Sequence, residues 1–263
     1  MSHRLPFFLV LFAISVLSTP MLAEVERIER GNLVIEGVPE IPPELSERLR
    51  QYENTRTATF QGWLPDGSML ISTRFGETGQ LHTVSGPMAA RRQITFFREP
   101  VVATTVSPNP DVNGFIFGKD VGGSEFYQLF FYDLATANHQ MVTDGTSRNG
   151  GALWSNAGDR FVYYTTMRNG RDWDLHVQRV DKLGEPTPVL EQPGVWFPGE
   201  WSPDDRRLLV VRYVSANESH PHLLDLETGE LEPLESLEEG EKVSYGAVAF
   251  SGDGKGIYFS SDR

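Results

Sequence analysis

The chain has 263 residues, of which 39% are hydrophobic, and this content is typical of a protein with a folded core rather than of a disordered one. It contains no cysteine, which excludes disulfides, thiolate nucleophiles and cysteine metal sites. Its formal net charge of −13 would repel nucleic acid phosphates, so we expect no nucleic acid partner.

The first 23 residues predict an export signal. Arg4 precedes an apolar run from Phe7 to Leu17, and the small residue Ala23 lies directly before Glu24, where a signal peptidase would cleave. The run is shorter than the ~20 residues that span a bilayer. A buried strand or a membrane anchor is the alternative. We expect residues 1–23 to be removed, leaving a mature protein without a membrane span in the periplasm or outside the cell.

Residues 24–56 predict an arm that precedes the main domain. A short helix is indicated over Pro39–Tyr52, because proline is favoured in a first helical turn and apolar residues recur there at helical spacing. The apolar face of this helix would consist of Leu45, Leu49 and Tyr52. The stretch Glu24–Val38 is expected to supply a strand or an arm that helps to close the main domain.

One short motif recurs five times along the rest of the chain. An aromatic residue or Val is followed, usually after Ser, by Pro or another turn former and then by Asp, Asn or Gly. The third residues of the copies are separated by 43, 48, 47 and 49 positions. Proline presets the backbone of a turn, and Asp, Asn and Gly stabilise or tolerate the reversal. The copies begin at Trp63, Val106, Trp154, Trp201 and Phe250.

Each copy is followed by strands rich in β-branched and aromatic residues. Four antiparallel strands in about 45 residues are typical of a propeller blade, whereas a β-sandwich, the alternative, gives no reason for a fixed spacing. We therefore predict an all-β fold, a partial β-propeller of four-stranded antiparallel blades over residues 57–263. It would have about four complete blades and the start of a fifth. The unpaired edges of such an incomplete ring would favour a homo-oligomer.

Three segments resemble the N-terminal propeller region of bacterial prolyl-oligopeptidase-family serine peptidases, of the dipeptidyl- or acylaminoacyl-peptidase kind. They are residues 51–63, residues 80–101, and the run Gly122-Gly123-Ser124-Glu125-Phe126 that continues to Phe130, which resembles the second-blade segment of the family. Asn54–Trp63 and Gln80–Val101 are more specific than the repeat motif, which other propellers share. The resemblance extends from about Val34 to Arg263.

This resemblance implies a peptidase of two domains, in which the propeller filters the access of peptide substrates to an α/β-hydrolase domain. That domain would carry Ser, Asp and His in this order, with the serine in a Gly-x-Ser-x-Gly elbow. The elbow is absent here, because the nearest match has Phe126 at its last position. The catalytic domain is therefore expected to lie outside this chain, and no catalytic residue is assigned.

Arg74 and Glu125 are the candidate substrate-binding residues. A guanidinium can hold a peptide carboxylate, and a carboxylate can hold a free amino terminus. The alternative for Glu125 is a structural role, in which its carboxylate accepts hydrogen bonds from backbone amides of its own loop. His220 and His222 could pair at a metal, but no third ligand is evident nearby, so we expect neither a metal nor a cofactor.

The repeated tryptophans Trp63, Trp154 and Trp201 are predicted to be core residues because they share one repeat position. Trp173 and Trp196 lie outside that register, and packing is also expected for them.

Two other functions fit the repeat. The first is a non-enzymatic periplasmic propeller that binds protein partners, similar to the Tol-system propeller. The second is a propeller hydrolase or lyase that uses residues of the central channel, which is the least supported because no set of His and carboxylate residues at matching blade positions is clear from the sequence.

Overall fold

The computed structural model describes residues 25–234, 237, 238 and 240–263, so the predicted signal peptide lies outside the described residues. An N-terminal arm contains β1 (Arg27–Arg30), β2 (Leu33–Glu36) and α1 (Pro43–Glu53). The first blade consists of β3 (Thr59–Trp63), β4 (Met69–Thr73), β5 (Gln80–Val84) and β6 (Arg92–Gln93). The second consists of β7 (Val102–Val106), β8 (Gly114–Lys119), β9 (Gln128–Asp133) and β10 (His139–Met141).

Two further blades and part of a fifth follow. The third contains β11 (Asn149–Trp154), β12 (Arg160–Thr165), β13 (Asp174–Arg179) and β14 (Thr187–Leu190), with a 3-10 helix at Val180–Lys182. The fourth contains β15 (Val195–Trp201), β16 (Arg207–Ser215), β17 (Glu218–Asp225) and β18 (Leu231–Pro233). The fifth contains β19 (Tyr245–Phe250) and β20 (Ile257–Ser261).

Each complete blade is an antiparallel sheet in which strands that follow one another in the chain are neighbours. The first strands of successive blades, β3, β7, β11, β15 and β19, contact one another in that order. The sheets are therefore stacked side by side around a row of innermost strands. The prediction of a partial propeller with four complete blades and the start of a fifth is confirmed.

All five innermost strands carry a register shift. In each blade the shift lies in the pairing of the first strand with the second strand. It falls between Phe60 and Gly62 in the first blade and between Gly150 and Leu153 in the third, and the other three blades have a shift at the corresponding place. A β-bulge increases the local twist of a strand. The repeated bulge therefore fits the crowded centre of a propeller, where the innermost strands converge.

The core lies between the blades. Clusters of buried apolar side chains fill the spaces between the first and second, second and third, and third and fourth blades. The second strand of each complete blade contributes one fully buried apolar residue that faces the next blade; these are Leu70, Ile116, Val162 and Leu209. Burying such a side chain stabilises the fold by about 1.5–3 kcal/mol.

The repeated tryptophan joins consecutive innermost strands. The indole Nε1 of Trp154 donates a hydrogen bond to the carbonyl oxygen of Thr105 at 3.3 Å. That of Trp201 donates to the carbonyl oxygen of Leu153 at 3.1 Å. The prediction that Trp63 is a core residue is wrong, because its side chain is 63% exposed. The described residues place no blade before the first one to receive it.

The turns of neighbouring blades also interlock. The Asp205 carboxylate accepts hydrogen bonds from the backbone N and side-chain Nδ2 of Asn156 and from the backbone N of Ala157, each at 2.8 Å. Ser107 Oγ donates to the carbonyl oxygen of Gly158, which has φ of +65° and no room for a Cβ beside Ser107. The aspartates of the repeat thus have the turn role that the sequence predicted.

The arm has little core of its own. Within the described part of the chain, β1 and β2 pair only with each other and join none of the described blades, so whether this stretch helps to close the main domain stays a prediction. The helix prediction is confirmed with a later start, at Pro43 after the cap residue Pro42. The apolar helix face of Leu45, Leu49 and Tyr52 is exposed.

No helix in the described residues is both long and apolar enough to cross a bilayer.

Replacing Trp201 by Phe should lower the free energy of unfolding by about 1–3 kcal/mol, because the part-buried carbonyl oxygen of Leu153 loses its hydrogen-bond donor. The matched control is Trp63→Phe, at the same repeat position but exposed, which should change it by less than about 0.5 kcal/mol. Urea denaturation of both variants measures the difference. Equal losses of unfolding free energy in the two variants would show that the hydrogen bond of the Trp201 indole does not stabilise the fold.

Two buried histidines and one half-buried one predict a loss of stability in mild acid. His82, His176 and His222 occupy one position of the third strand in their blades, opposite Ile71, Tyr163 and Val210, respectively. Burial lowers the pKa of each below its usual value. The positive charge of Arg91 also lowers the pKa of His82. The charges of His220 and Arg212 likewise lower the pKa of His222. At His176 the negative charges of Asp174 and Glu191 raise the pKa and so oppose the effect of burial.

The folded protein favours the neutral form of these imidazoles. Their contribution to the free energy of unfolding is therefore fully present above about pH 6.5 and is lost as the pH falls below that value. The second blade has Phe130 at the corresponding position, so His176→Phe is a matched replacement. We expect this variant to lose less unfolding free energy between pH 7.5 and 5.5 than the unchanged chain does. Urea titrations at both pH values measure it, and an identical loss would contradict the assignment of the effect to His176.

Candidate functional site

The connections between strands divide the propeller into two faces. In each blade the first-to-second and third-to-fourth connections lie at one end of the sheet, since neighbouring strands are antiparallel. The second-to-third connections and the links between blades lie at the other end. We call the first end the turn face, because it holds the Asp-containing turns of the repeat. The second end, with longer and more varied connections, is called the loop face.

Arg74 and Glu125 both lie on the loop face. Arg74 directly follows β4, and Glu125 lies in the loop between β8 and β9. Both therefore belong to second-to-third-strand connections of adjacent blades, and the fold brings these two candidates to one end of the propeller. The sequence could not show this, since it does not reveal which connections share a face.

Arg74 lines a cleft between the arm and the first blade. Its Nη2 donates to the carbonyl oxygen of Glu53 at the end of α1. The cleft has a volume of about 450 Å³ and is lined by Arg50, Glu53, Asn54, Arg56, Arg74, Gly76 and Glu77. Among the described residues, none of its three arginines forms an ion pair with a carboxylate. Unpaired guanidiniums around one opening can receive a carboxylate with two parallel hydrogen bonds.

Two arginines lie against one aromatic ring, Phe75, beside this cleft. The guanidinium carbons of Arg56 and Arg91 lie 5.7 and 5.1 Å from the ring centroid of Phe75, which is within the range of cation–π attraction. The Phe75 and His82 rings pack in a T-shaped arrangement, with ring centroids 5.2 Å apart. Two guanidiniums thus lie near one aromatic ring beside the cleft, in a chain that is acidic overall.

The loop that contains Glu125 is held by a different carboxylate. Glu125 has φ of +59°, a left-handed backbone conformation, and its backbone N donates to Oδ2 of the buried Asp120 at 2.9 Å. The Glu125 side chain is exposed and accepts no hydrogen bond from the described residues. The structural role that was the alternative for Glu125 is therefore performed by Asp120, and the Glu125 carboxylate is free to meet a ligand.

The N-terminal arm contacts the loops of both candidate residues. Asn32, in the turn between β1 and β2, donates from Nδ2 to the carbonyl oxygen of Gly122 at 3.1 Å, three residues before Glu125. The end of α1 accepts the hydrogen bond from Arg74. The arm therefore lies along the loop face of the first two blades.

Exposed apolar side chains surround these residues. On the arm eight of them are 46–69% exposed, namely Val25, Leu33, Val34, Val38, Ile41, Leu45, Leu49 and Tyr52. On the loop face Phe75, Val121 and Phe126 are also exposed. Isolated apolar residues are normal on a protein surface, but a concentration of them marks a surface that meets a partner. The sequence showed the helix stripe, but it gave no sign that the stripe would remain uncovered.

The loop face of the third blade is a rigid polar network. Arg168 donates to both carboxylate oxygens of the buried Asp174, at 2.7 and 2.9 Å. Asp172 accepts from the backbone N of Gly194 at 3.0 Å, and this bond, followed by one from Asn169, holds the pKa of its carboxyl well below the usual range. These charges are satisfied internally, so we assign them a structural role.

The remaining sequence candidates are structural as well. Trp173 stacks on Tyr164 with ring centroids 4.4 Å apart, and Trp196 is buried in the core, so packing is confirmed for both tryptophans. His222 hydrogen-bonds the carbonyl oxygen of His220 and lies against Trp196. The described residues contain no group of three metal-ligating side chains.

Comparisons with known proteins support the fold alone. No protein-family model and no curated protein matches the chain. Its structure resembles a prolyl endopeptidase with a TM-score of 0.65 and 15% identity, over 83% of this chain and 34% of that one. TolB from Acinetobacter baumannii is similar with a TM-score of 0.53 and 17% identity, over 76% of this chain and 47% of that one. An oligogalacturonate lyase from Vibrio parahaemolyticus is similar with a TM-score of 0.61 and 14% identity, over 78% of this chain and 60% of that one.

The chain thus spans less than two thirds of each of these three proteins. The structural similarity shows a shared propeller architecture, and at identities of 14–17% it does not transfer an activity.

Asp120→Ala should lower the free energy of unfolding by about 1–3 kcal/mol, because the Glu125 loop loses a charged hydrogen-bond acceptor. Glu125→Gln should leave stability within about 0.5 kcal/mol of the unchanged chain, since its exposed carboxylate has no partner to lose. Urea denaturation measures both. A large loss in Glu125→Gln would show that the carboxylate is structural.

Proposed function

We propose that this chain is the substrate-admitting propeller of an exported serine peptidase that cleaves oligopeptides, and that the catalytic α/β-hydrolase domain lies outside these 263 residues. The observation that carries the proposal is the loop face itself. There an arm with eight exposed apolar side chains lies beside two oppositely charged candidates, Arg74 and Glu125, neither of which forms an ion pair with another described residue.

The exposed arm supports the presence of a second domain. Leaving eight apolar side chains half exposed is unfavourable, because burying such a side chain completely from full exposure gains about 1.5–3 kcal/mol and these have reached only part of that gain. A catalytic domain seated on the loop face would cover the arm and close one end of the propeller. Substrates would then pass the charged residues of that face, or the channel between the blades, before they reach the catalytic serine.

The two charged candidates support a peptide as the substrate. A short peptide has an ammonium group at one end and a carboxylate at the other. Glu125, free of internal partners, suits the ammonium group, and the guanidinium of Arg74 together with Arg56 suits the carboxylate. Size exclusion by the propeller and recognition of both ends would select oligopeptides over folded proteins.

Peptide titrations test this recognition. Calorimetry should show an unmodified pentapeptide binding the chain about tenfold more tightly than its N-acetylated or C-amidated form, a difference of about 1.4 kcal/mol. Glu125→Gln should abolish the preference for a free amino terminus only, and Arg74→Gln the preference for a free carboxylate only. Arg206→Gln and Glu227→Gln, exposed on the turn face, are the matched charge controls and should change neither preference.

The proposed recognition is wrong if all three peptides bind equally or if the turn-face controls weaken binding as much. A chain that ignores peptides but binds a folded periplasmic protein through the arm would favour the alternative, a partner-binding propeller without an enzyme domain.

A further inference from the structure

A groove opens on the turn face between the third and fourth blades. It has a volume of about 340 Å³, which lies within the range of small-molecule pockets. Its floor is apolar, since Val177, Val189 and Leu226 pack there against the core cluster that contains Trp201. Both blades that line the groove have all four strands, so its shape does not depend on either end of the row of blades.

The chain itself fills the corresponding place between the second and third blades. Phe131 and Val177 have the same repeat position, because they pair with Ile116 and Val162 of the second strands. Phe131 packs with Leu183 against the core cluster of the second and third blades. The smaller Val177 therefore leaves room in the groove for an apolar group of about the size of a phenyl ring.

The rim of the groove carries the guanidiniums of Arg160, Arg179 and Arg206. The guanidinium carbon of Arg160 lies 5.4 Å from the centroid of the Trp201 ring, and Arg206 is exposed. Arg179 forms an ion pair with Asp181, whereas Arg160 and Arg206 form none with the described residues. Two guanidiniums beside an apolar floor can thus receive a carboxylate.

These cations belong to this groove and not to the repeat. Arg179 pairs with the first residue of the second strand in its blade, and Asp133 has that place in the second blade. Arg206 directly precedes the second strand of the fourth blade, as Asp159 does in the third. The rim between the second and third blades therefore has two carboxylates where this groove has two guanidiniums.

The remaining polar groups of the groove favour a small molecule over a peptide. The Asp205 carboxylate is already engaged by three hydrogen bonds from Asn156 and Ala157, so the exposed Glu227 is the lining carboxylate that would repel an anion. Thr187 is the one lining residue with an uncharged hydroxyl or amide side chain. The amides of a peptide would lose water there and find few side-chain partners in return.

We propose that this groove binds a small organic anion in which a phenyl-sized apolar group is joined to one carboxylate. The apolar group lies on Val177, Val189 and Leu226, and the carboxylate accepts hydrogen bonds from Arg160 and Arg206. The simplest probe of this class is 3-phenylpropionate. The groove is at the opposite end of the propeller from the loop face, so the proposal is independent of the proposed function.

NMR titration of the indole N–H signals tests the proposal. The probe 3-phenylpropionate should shift the signal of Trp201, which lines the groove, with a dissociation constant of about 1 mM or below. The signal of the distant Trp63 should not move. The uncharged 3-phenylpropionamide should bind about tenfold more weakly, because it has no carboxylate for the guanidiniums. The loss of one signal in Trp201→Phe identifies the resonance.

Variants separate the apolar floor from the charged rim. Val177→Phe should abolish binding, because it supplies the ring that Phe131 supplies in the second blade. Arg206→Gln should weaken binding about tenfold, and Glu227→Gln should strengthen it about twofold. Lys255→Gln is the matched control and should change nothing, since Lys255 has the turn position of Arg206 in the fifth blade.

The proposal is overturned if about 10 mM 3-phenylpropionate leaves the Trp201 signal in place or if the amide binds as tightly as the acid. It is also overturned if Val177→Phe, with its other indole signals unchanged, still binds the probe. A tripeptide ending in phenylalanine that binds more tightly than the probe would show that the occupant is a peptide terminus instead. Pentaglycine lacks the ring and should not shift the Trp201 signal, so the groove does not enter peptide titrations made with it.

Discussion

The fold depends on the contact between one innermost strand and the next. Each blade is a simple antiparallel sheet that has apolar residues on both faces and is not stable alone, so its neighbours must bury them. The indole-to-carbonyl hydrogen bond at Trp154 and Trp201 sets the register of that burial, since it joins one side chain to one backbone position of the preceding strand. The bulge in every innermost strand and the interlocked Asp205 turn keep the same alignment. Stability is therefore shared between neighbours and is weakest where a neighbour is absent.

This arrangement separates structural from functional chemistry at the two ends of the propeller. At the turn face, Asp204 and Asp205 are fully engaged with backbone amides and hydroxyls of their own and adjacent turns. At the loop face the connections are longer and are not required for blade register, so their side chains can vary. There Asp120 holds the Glu125 loop, which leaves the Glu125 carboxylate unpaired. The arm adds Glu53 as a backbone acceptor for Arg74 and exposes its own apolar residues.

The sequence predicted the parts that local chemistry determines. The turn motif with its fixed spacing led directly to the blades, because proline, glycine and aspartate act over a few residues. Trp63 was placed wrongly in the core, since burial at its position requires a preceding blade, which no local pattern can supply. The matched histidines at 82, 176 and 222 were missed although their positions repeat with the blades; the signal was their common place in the third strand, which Phe130 interrupts. The shared face of Arg74 and Glu125 follows from topology, and the identity of the internal partner, Asp120, follows from the loop conformation.

The nucleotide sequence that follows the codon of Arg263 is the measurement that decides between the two proposed functions. If the chain is the propeller of a serine peptidase, the open reading frame continues through further blades into an α/β domain with a Gly-x-Ser-x-Gly elbow, followed by Asp and then His. A frame that completes the propeller and then stops, with no such domain, would contradict the peptidase proposal and favour a propeller whose loop face binds a separate protein.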